Sequence, residues 1–171
     1  MNRNISIILS LILVLLVGMI GYVVHEFRIF SPGTLGAFEV RTFPISKQTL
    51  VRGIDSLYSN HPEYLLPKSW ESYDDWSERG YDFLDSRIFY FDEEPREMYY
   101  VTWIADANDS IQADTPRTSL ALRAYRNETE SWTLESSCSD HEKSRVQKRL
   151  DEEIIKKIEH YTQSHVAGSN Q

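Results

Sequence analysis

Cys138, Asp140, His141 and Glu142 crowd into five consecutive positions. A thiol three residues before an imidazole has the spacing of two zinc ligands, but a structural zinc site takes four protein ligands. The chain has one cysteine, and no second Cys/His pair is visible; His160 and His165 lie five apart at a helix end, off a single face. A nucleophilic Cys138 would need a base brought in by the fold. Asp140 and Glu142 are explained more simply as acids at a helix start, favoured by its dipole. Asp106, Asn108, Ser110 and Asp114 alternate like calcium ligands, yet the sixth position is Ile111 rather than glycine and the twelfth is Arg117 rather than glutamate. A cation there repels a metal, so a solvated loop is expected.

Glu71 to Glu97 holds ten carboxylates against Arg79, Arg87 and Arg96, so most of the net charge of −8 lies in one stretch. Two-acid hydrolysis needs one distinguished pair, and the sequence marks none. No phosphate-binding or dinucleotide loop and no nucleophile elbow is present. No catalytic, cofactor-binding or metal-ligating residue is therefore assigned. The feature that points outward is the interleaving of Trp70, Tyr73, Trp76 and Tyr81 with Asp74, Asp75, Asp92, Glu93 and Glu94. Tyr and Trp are favoured at interfaces, and a negative patch steers a basic protein partner. The same charge disfavours nucleic acid.

The elements that must position these residues are legible in outline. Ala37 to Phe43 reads as a strand with Phe38 and Val40 on one face and Glu39 and Arg41 on the other. Ser46 caps a helix from Lys47 to about Ser59, striped by Leu50, Val51, Ile54, Leu57 and Tyr58. Gly53 within it costs about 1 kcal/mol relative to alanine, so that helix depends on packing. Residues 62–84 are irregular or hold one short helix near Ser69 to Ser77. Two hairpins follow, with turns at Asp92–Pro95 and Asn127–Glu130. Strand 97–104 sends Met98, Tyr100 and Ile104 to one face and Tyr99, Val101 and Trp103 to the other, so it is covered on both sides. A final helix starts at Ser139, with Glu142 at capping-box spacing. Val146, Leu150, Ile154, Ile158 and Tyr161 form its stripe.

Ile5 to Val24 is 20 residues without a charge, long enough as a helix to cross the hydrocarbon core of a bilayer. The run exceeds a cleaved signal's apolar core, and no alanine precedes Ala37 to make a small-residue cleavage site. The expected organisation is a short tail at 1–4, a transmembrane anchor at 5–24, a juxtamembrane linker at 25–35, an acidic domain at 36–163 and a flexible tail at 164–171. The short amino tail suggests a signal-anchor with the domain outside the cytosol. Lys/Arg bias across the flanks is weak.

The order β-α-(α)-β-β-β-β-α predicts an α+β domain, a small antiparallel sheet packed by two helices. It partly resembles helix-grip domains, which wrap a curved sheet around a long C-terminal helix. That resemblance implies an apolar ligand between sheet and helix, although only about five strands are read here. Two functional expectations result. One is a single-pass, membrane-anchored, non-enzymatic interaction module. The other is a small-ligand or lipid-binding domain, with or without catalysis.

Overall fold

The computed structural model describes residues 36–105 and 116–166. The expected anchor at Ile5–Val24, the linker at 25–35 and the loop bearing Asp106 to Asp114 lie outside them. Among the described residues no helix is long and apolar enough to cross a membrane. Elements run in the order β1 (Val40–Phe43), α1 (Lys47–Asn60), two 3-10 turns (Pro62–Tyr64 and Lys68–Tyr73), β2 (Ser86–Phe91), β3 (Glu97–Ala105), β4 (Thr118–Asn127), β5 (Thr133–Leu134), a 3-10 turn (Glu135–Ser137), α2 (Asp140–Leu150), a π turn (Asp151–Ile155) and α3 (Lys156–Thr162). This is an α+β domain built on a small antiparallel sheet.

The sheet order is β1-β4-β3-β2, and β5 pairs with β4 through Ala124↔Leu134 and Tyr125↔Thr133. β1 and β5 thus share one long edge of β4. A bulge shifts the β3–β4 register between Tyr100 and Val101, which face Ala124 and Leu122, leaving Arg123 as the extra residue. Strand alternation then splits β3 as its sequence indicates. Tyr99, Val101 and Trp103 join the helix-side core, while Met98 and Tyr100 lie on the opposite face, where Met98 packs with Trp70 and Tyr90.

On the helix side, Phe89, Tyr99, Val101, Leu120 and Leu122 pack with Leu50, Ile54 and Leu57 of α1 and with Val146, Leu150, Ile154 and Ile158. All are at most 1% exposed, and each such side chain contributes about 1.5–3 kcal/mol. Among the described residues the space between sheet and terminal helix is therefore filled by side chains, with no apolar chamber of the helix-grip kind between them.

Ser46 caps α1 as expected, accepting from the Thr49 amide at 3.2 Å. Ser139 caps α2 from the Glu142 amide at 3.2 Å, while the Glu142 carboxylate accepts from Tyr125 and Arg145. The terminal stripe repeats every four residues from Val146 to Ile158. A regular helix, at 3.6 residues per turn, would carry that stripe around by about 40° per step. The π turn unwinds the helix in the middle of it, and all four side chains stay buried.

Two expectations change. In the first strand Val40 is 45% exposed and Arg41 is buried, because the Arg41 guanidinium grips Asp151 through Nε–Oδ1 at 2.8 Å and Nη2–Oδ2 at 2.7 Å. Phe38 still reaches the core, since the chain bends at Phe38–Glu39 before β1 begins. The tail expected to be free from Ser164 is docked as far as Val166. Gln163 turns left-handed, Ser164 is buried with its amide on the Glu159 carbonyl, and the Val166 amide reaches the Glu159 carboxylate at 2.7 Å.

Candidate functional site

The stretch from Leu65 to Leu84 is held to the sheet by aromatic rings rather than by regular structure. Pro67 caps its 3-10 turn at Lys68–Tyr73, where the Pro67 carbonyl accepts from the Trp70 amide at 2.8 Å. Trp70 meets Tyr90 with ring centroids 5.1 Å apart and Tyr73 at 5.6 Å. Trp76 stacks on Tyr100 at 4.1 Å with the planes 10° from parallel, and Tyr81 meets the Trp76 ring edge-on at 5.5 Å. Between them the chain turns tightly at Gly80, whose φ of +83° an L side chain resists. The Trp132 indole N–H donates to the Tyr73 carbonyl and to Asp75 Oδ1, each at 3.0 Å. Arg126 lies over the Tyr73 ring at 4.0 Å.

This packing separates the residues that the sequence groups together. Trp70, Trp76 and Tyr81 are 5%, 5% and 8% exposed: Trp70 joins Tyr90 and Met98 in a second small core, and Trp76 packs against Tyr81, Tyr100 and Trp132. Tyr73 and Asp75 are half-buried, and Asp75 is committed to Arg79 and Trp132. Asp74, Asp92, Glu93 and Glu94 are exposed. Of the nine residues read as a partner surface, these four carboxylates are the ones fully presented. The reason is physical: aromatic rings gain by covering the apolar face of β2 and β3, while carboxylates lose by leaving water.

An open cleft of about 590 Å3 lies between the 65–84 segment and the start of β2. Leu65, Leu66, Leu84 and Ile88 line it with the Trp76, Tyr81 and Tyr100 rings, and Glu71, Asp74 and Asp82 supply acid. Arg87 is the one cation among the described residues lining it. Partial burial pushes the Asp74 carboxyl above the usual range; the Trp76 amide opposes this and the Asp75 charge adds to it. Burial also pushes Asp75 up, but Arg79 and Trp132 outweigh it and hold that carboxyl below the usual range. Aromatic walls with an acidic rim suit a cationic group.

A smaller cavity of about 340 Å3 lies by the β2–β3 turn, which carries a cis Glu94–Pro95 peptide. Its polar groups are largely engaged: the Tyr64 hydroxyl donates to Glu153 at 2.6 Å and accepts from Lys157 at 2.7 Å, and Arg149 donates to the Glu93 and Pro95 carbonyls. Cys138 is half-buried, its thiol donates to the Leu134 carbonyl at 3.4 Å, and burial pushes its pKa up, which opposes a thiolate nucleophile. His141 is exposed. No cluster of three or more metal-ligating side chains occurs among the described residues.

Sequence reasoning missed two structural anchors. Glu97, 1% exposed, accepts from Tyr99 at 3.0 Å, from both Arg145 amino groups and from Arg149 at 3.1 Å. Trp132 locks the acidic segment from across the second hairpin. The available signals were a carboxylate beginning the most apolar strand and a lone tryptophan straight after a turn. Neither names its partner. The chain matches no family model, no curated protein and no solved structure.

Proposed function

We propose that this chain is a single-pass membrane protein whose acidic α+β domain is a non-enzymatic interaction module outside the cytosol, binding a basic protein partner. Residues 5–24 form the anchor, and tethering raises the effective concentration of the domain at the membrane. The observation that carries the reading is the separation of roles in the 65–94 stretch. Its aromatics other than the exposed Phe83 are buried or half-buried beneath, while Glu71, Asp74, Asp82, Asp92, Glu93 and Glu94 all stand exposed on the packed segment or the β2–β3 turn. Preorganised charge costs little ordering on binding.

The test is crosslinked capture from native membranes with the full-length protein against the variant Asp74→Asn, Glu93→Gln, Glu94→Gln. Asp75 is left intact, because its carboxylate holds Trp132 and Arg79. A partner that is retained by the wild type, lost in the variant and weakened by salt supports the reading. A partner set unchanged by neutralisation sinks it.

The ligand-binding alternative moves with the cavity. The sheet–helix interface is filled, so a small molecule would sit in the cleft beside Trp76 and Tyr81, whose volume is within the usual range for ligand sites.

A further inference from the structure

The cleft has a main-chain wall as well as side chains. The Trp103 amide donates to the Asp85 carbonyl at 3.2 Å, and Ser86 pairs with Thr102. In an antiparallel ladder, bonded positions alternate. Arg87, Phe89 and Phe91 therefore turn their backbone groups toward β3, and Ser86, Ile88 and Tyr90 turn theirs outward. The outward side is confirmed where the Tyr58 hydroxyl donates to the Ile88 carbonyl at 2.9 Å. β2 is the edge of the sheet, and its Ser86–Ile88 end lines the cleft. An edge strand is a template for another extended chain.

Three features converge: an edge strand, an acidic rim of Glu71, Asp74 and Asp82, and aromatic walls. Within the reading of the domain as an interaction module, we infer that the cleft seats an extended, Lys/Arg-bearing segment of the partner protein. The segment lies along the Ser86–Ile88 edge of β2 and places a cationic side chain between Asp74 and Asp82. The Ser86 carbonyl already accepts from Arg87 Nη1 at 3.0 Å and the Ile88 carbonyl from Tyr58, so main-chain pairing uses the second lone pair of each, and the acidic rim supplies selection. A free polyamine meets the rim but has no peptide groups for the edge. Trp76 adds a reporter, since its indole N–H is buried in the cleft wall with no hydrogen-bond partner.

The experiment uses the full-length protein in nanodiscs and a blocked, fluorescent peptide of alternating lysine, valine and arginine. Comparison probes are the same peptide N-methylated on alternate amides, its glutamate counterpart, and spermine. The wild-type protein is expected to bind the basic peptide and to move the Trp76 indole resonance. Binding weakens about tenfold or more for Asp74→Asn/Asp82→Asn and for the N-methylated peptide, and less than about twofold for Glu93→Gln/Glu94→Gln. The N-methylated probe leaves the protein untouched, so a misfolded variant cannot decide the outcome. Spermine binding as tightly as the peptide would overturn the peptide assignment. Loss confined to Glu93→Gln/Glu94→Gln would overturn the cleft while leaving the acidic module standing. Binding indifferent to every substitution, or absent altogether, would overturn the cleft inference; capture from membranes then decides the module separately.

Discussion

The indole nitrogen of Trp132 donates to the Asp75 carboxylate at 3.0 Å, joining the second hairpin to the acidic segment 57 residues away in sequence. The same N–H reaches the Tyr73 carbonyl, so one side chain pins the turn that carries Asp74. Trp132→Phe keeps an aromatic ring, though a smaller one, beside Trp76 and Tyr100 and removes the donor. It is expected to cost about 1–3 kcal/mol through the acceptors left behind, read as a lower denaturant midpoint. Asp74→Asn, on the exposed neighbour, is expected to stay within about 0.5 kcal/mol. Equal effects would mean that Trp132 is not the pin.

Glu97 is the second discriminating position. Its carboxylate is buried among Tyr99, Arg145 and Arg149, so neutralising it alone removes their shared buried counter-charge, leaving Arg145 to Glu142 and Arg149 to the Glu93 and Pro95 carbonyls. Glu97→Gln is expected to destabilise by about 3–5 kcal/mol, measured by chemical denaturation. Replacing Glu97, Arg145 and Arg149 together with apolar residues should cost less than Glu97→Gln, because no charge is then left unpaired.

Gly53 sits where α1 meets α3. A Cβ there would collide with the Thr162 γ-methyl, and the Thr162 hydroxyl donates to the Ile158 carbonyl at 2.7 Å. Gly53→Ala therefore loses about 1–3 kcal/mol by overpacking, despite alanine's better helix propensity. In a Thr162→Ser background the methyl is gone, and the same substitution should become stabilising by up to about 1 kcal/mol. A double-mutant cycle reads the change of sign, and additive effects would refute the contact.

Stability should fall in acid through a small set of carboxylates. Hydrogen bonding from Arg145 holds Glu142 below the usual range against the opposing effect of burial, and Tyr64 and Lys157 do the same for Glu153. A lowered folded-state value means that the unfolded chain binds more protons, so this contribution is complete above the unfolded value of about 4.3 and drains as pH falls through the folded ones. Asp74 has the opposite sign: its raised value is a penalty at neutral pH that vanishes in acid. Urea midpoints between neutral pH and pH of about 3 should fall less steeply for Glu153→Gln than for wild type. Asp74→Asn should gain a little stability at neutral pH and nothing in acid. A parallel wild-type and Glu153→Gln profile would remove Glu153 from the account.

Local rules and tertiary contacts divide the determination of this molecule between them. Ser46 and Ser139 announce their helices because a capping oxygen acts within three residues. The two faces of β3 follow from period-two alternation alone, and the charge run at 71–97 is additive and needs no fold. The 20 uncharged residues at 5–24 set their membrane expectation by length, which is likewise local. What the sequence could not decide were choices between equivalent local options. Arg41 turns inward because Asp151 waits 110 residues later. Trp70, Trp76 and Tyr81 could have been surface or buried, and packing of Trp70 and Trp76 on Tyr90 and Tyr100 of the uncovered sheet face buried them. The four-residue repeat of the last helix was visible, but the π turn that reconciles it with 3.6 residues per turn arises only because the sheet demands all four side chains. The cleft exists only once the packed segment, the β2 edge and the acids around them share one place, a relationship among residues far apart in the chain that no local pattern records.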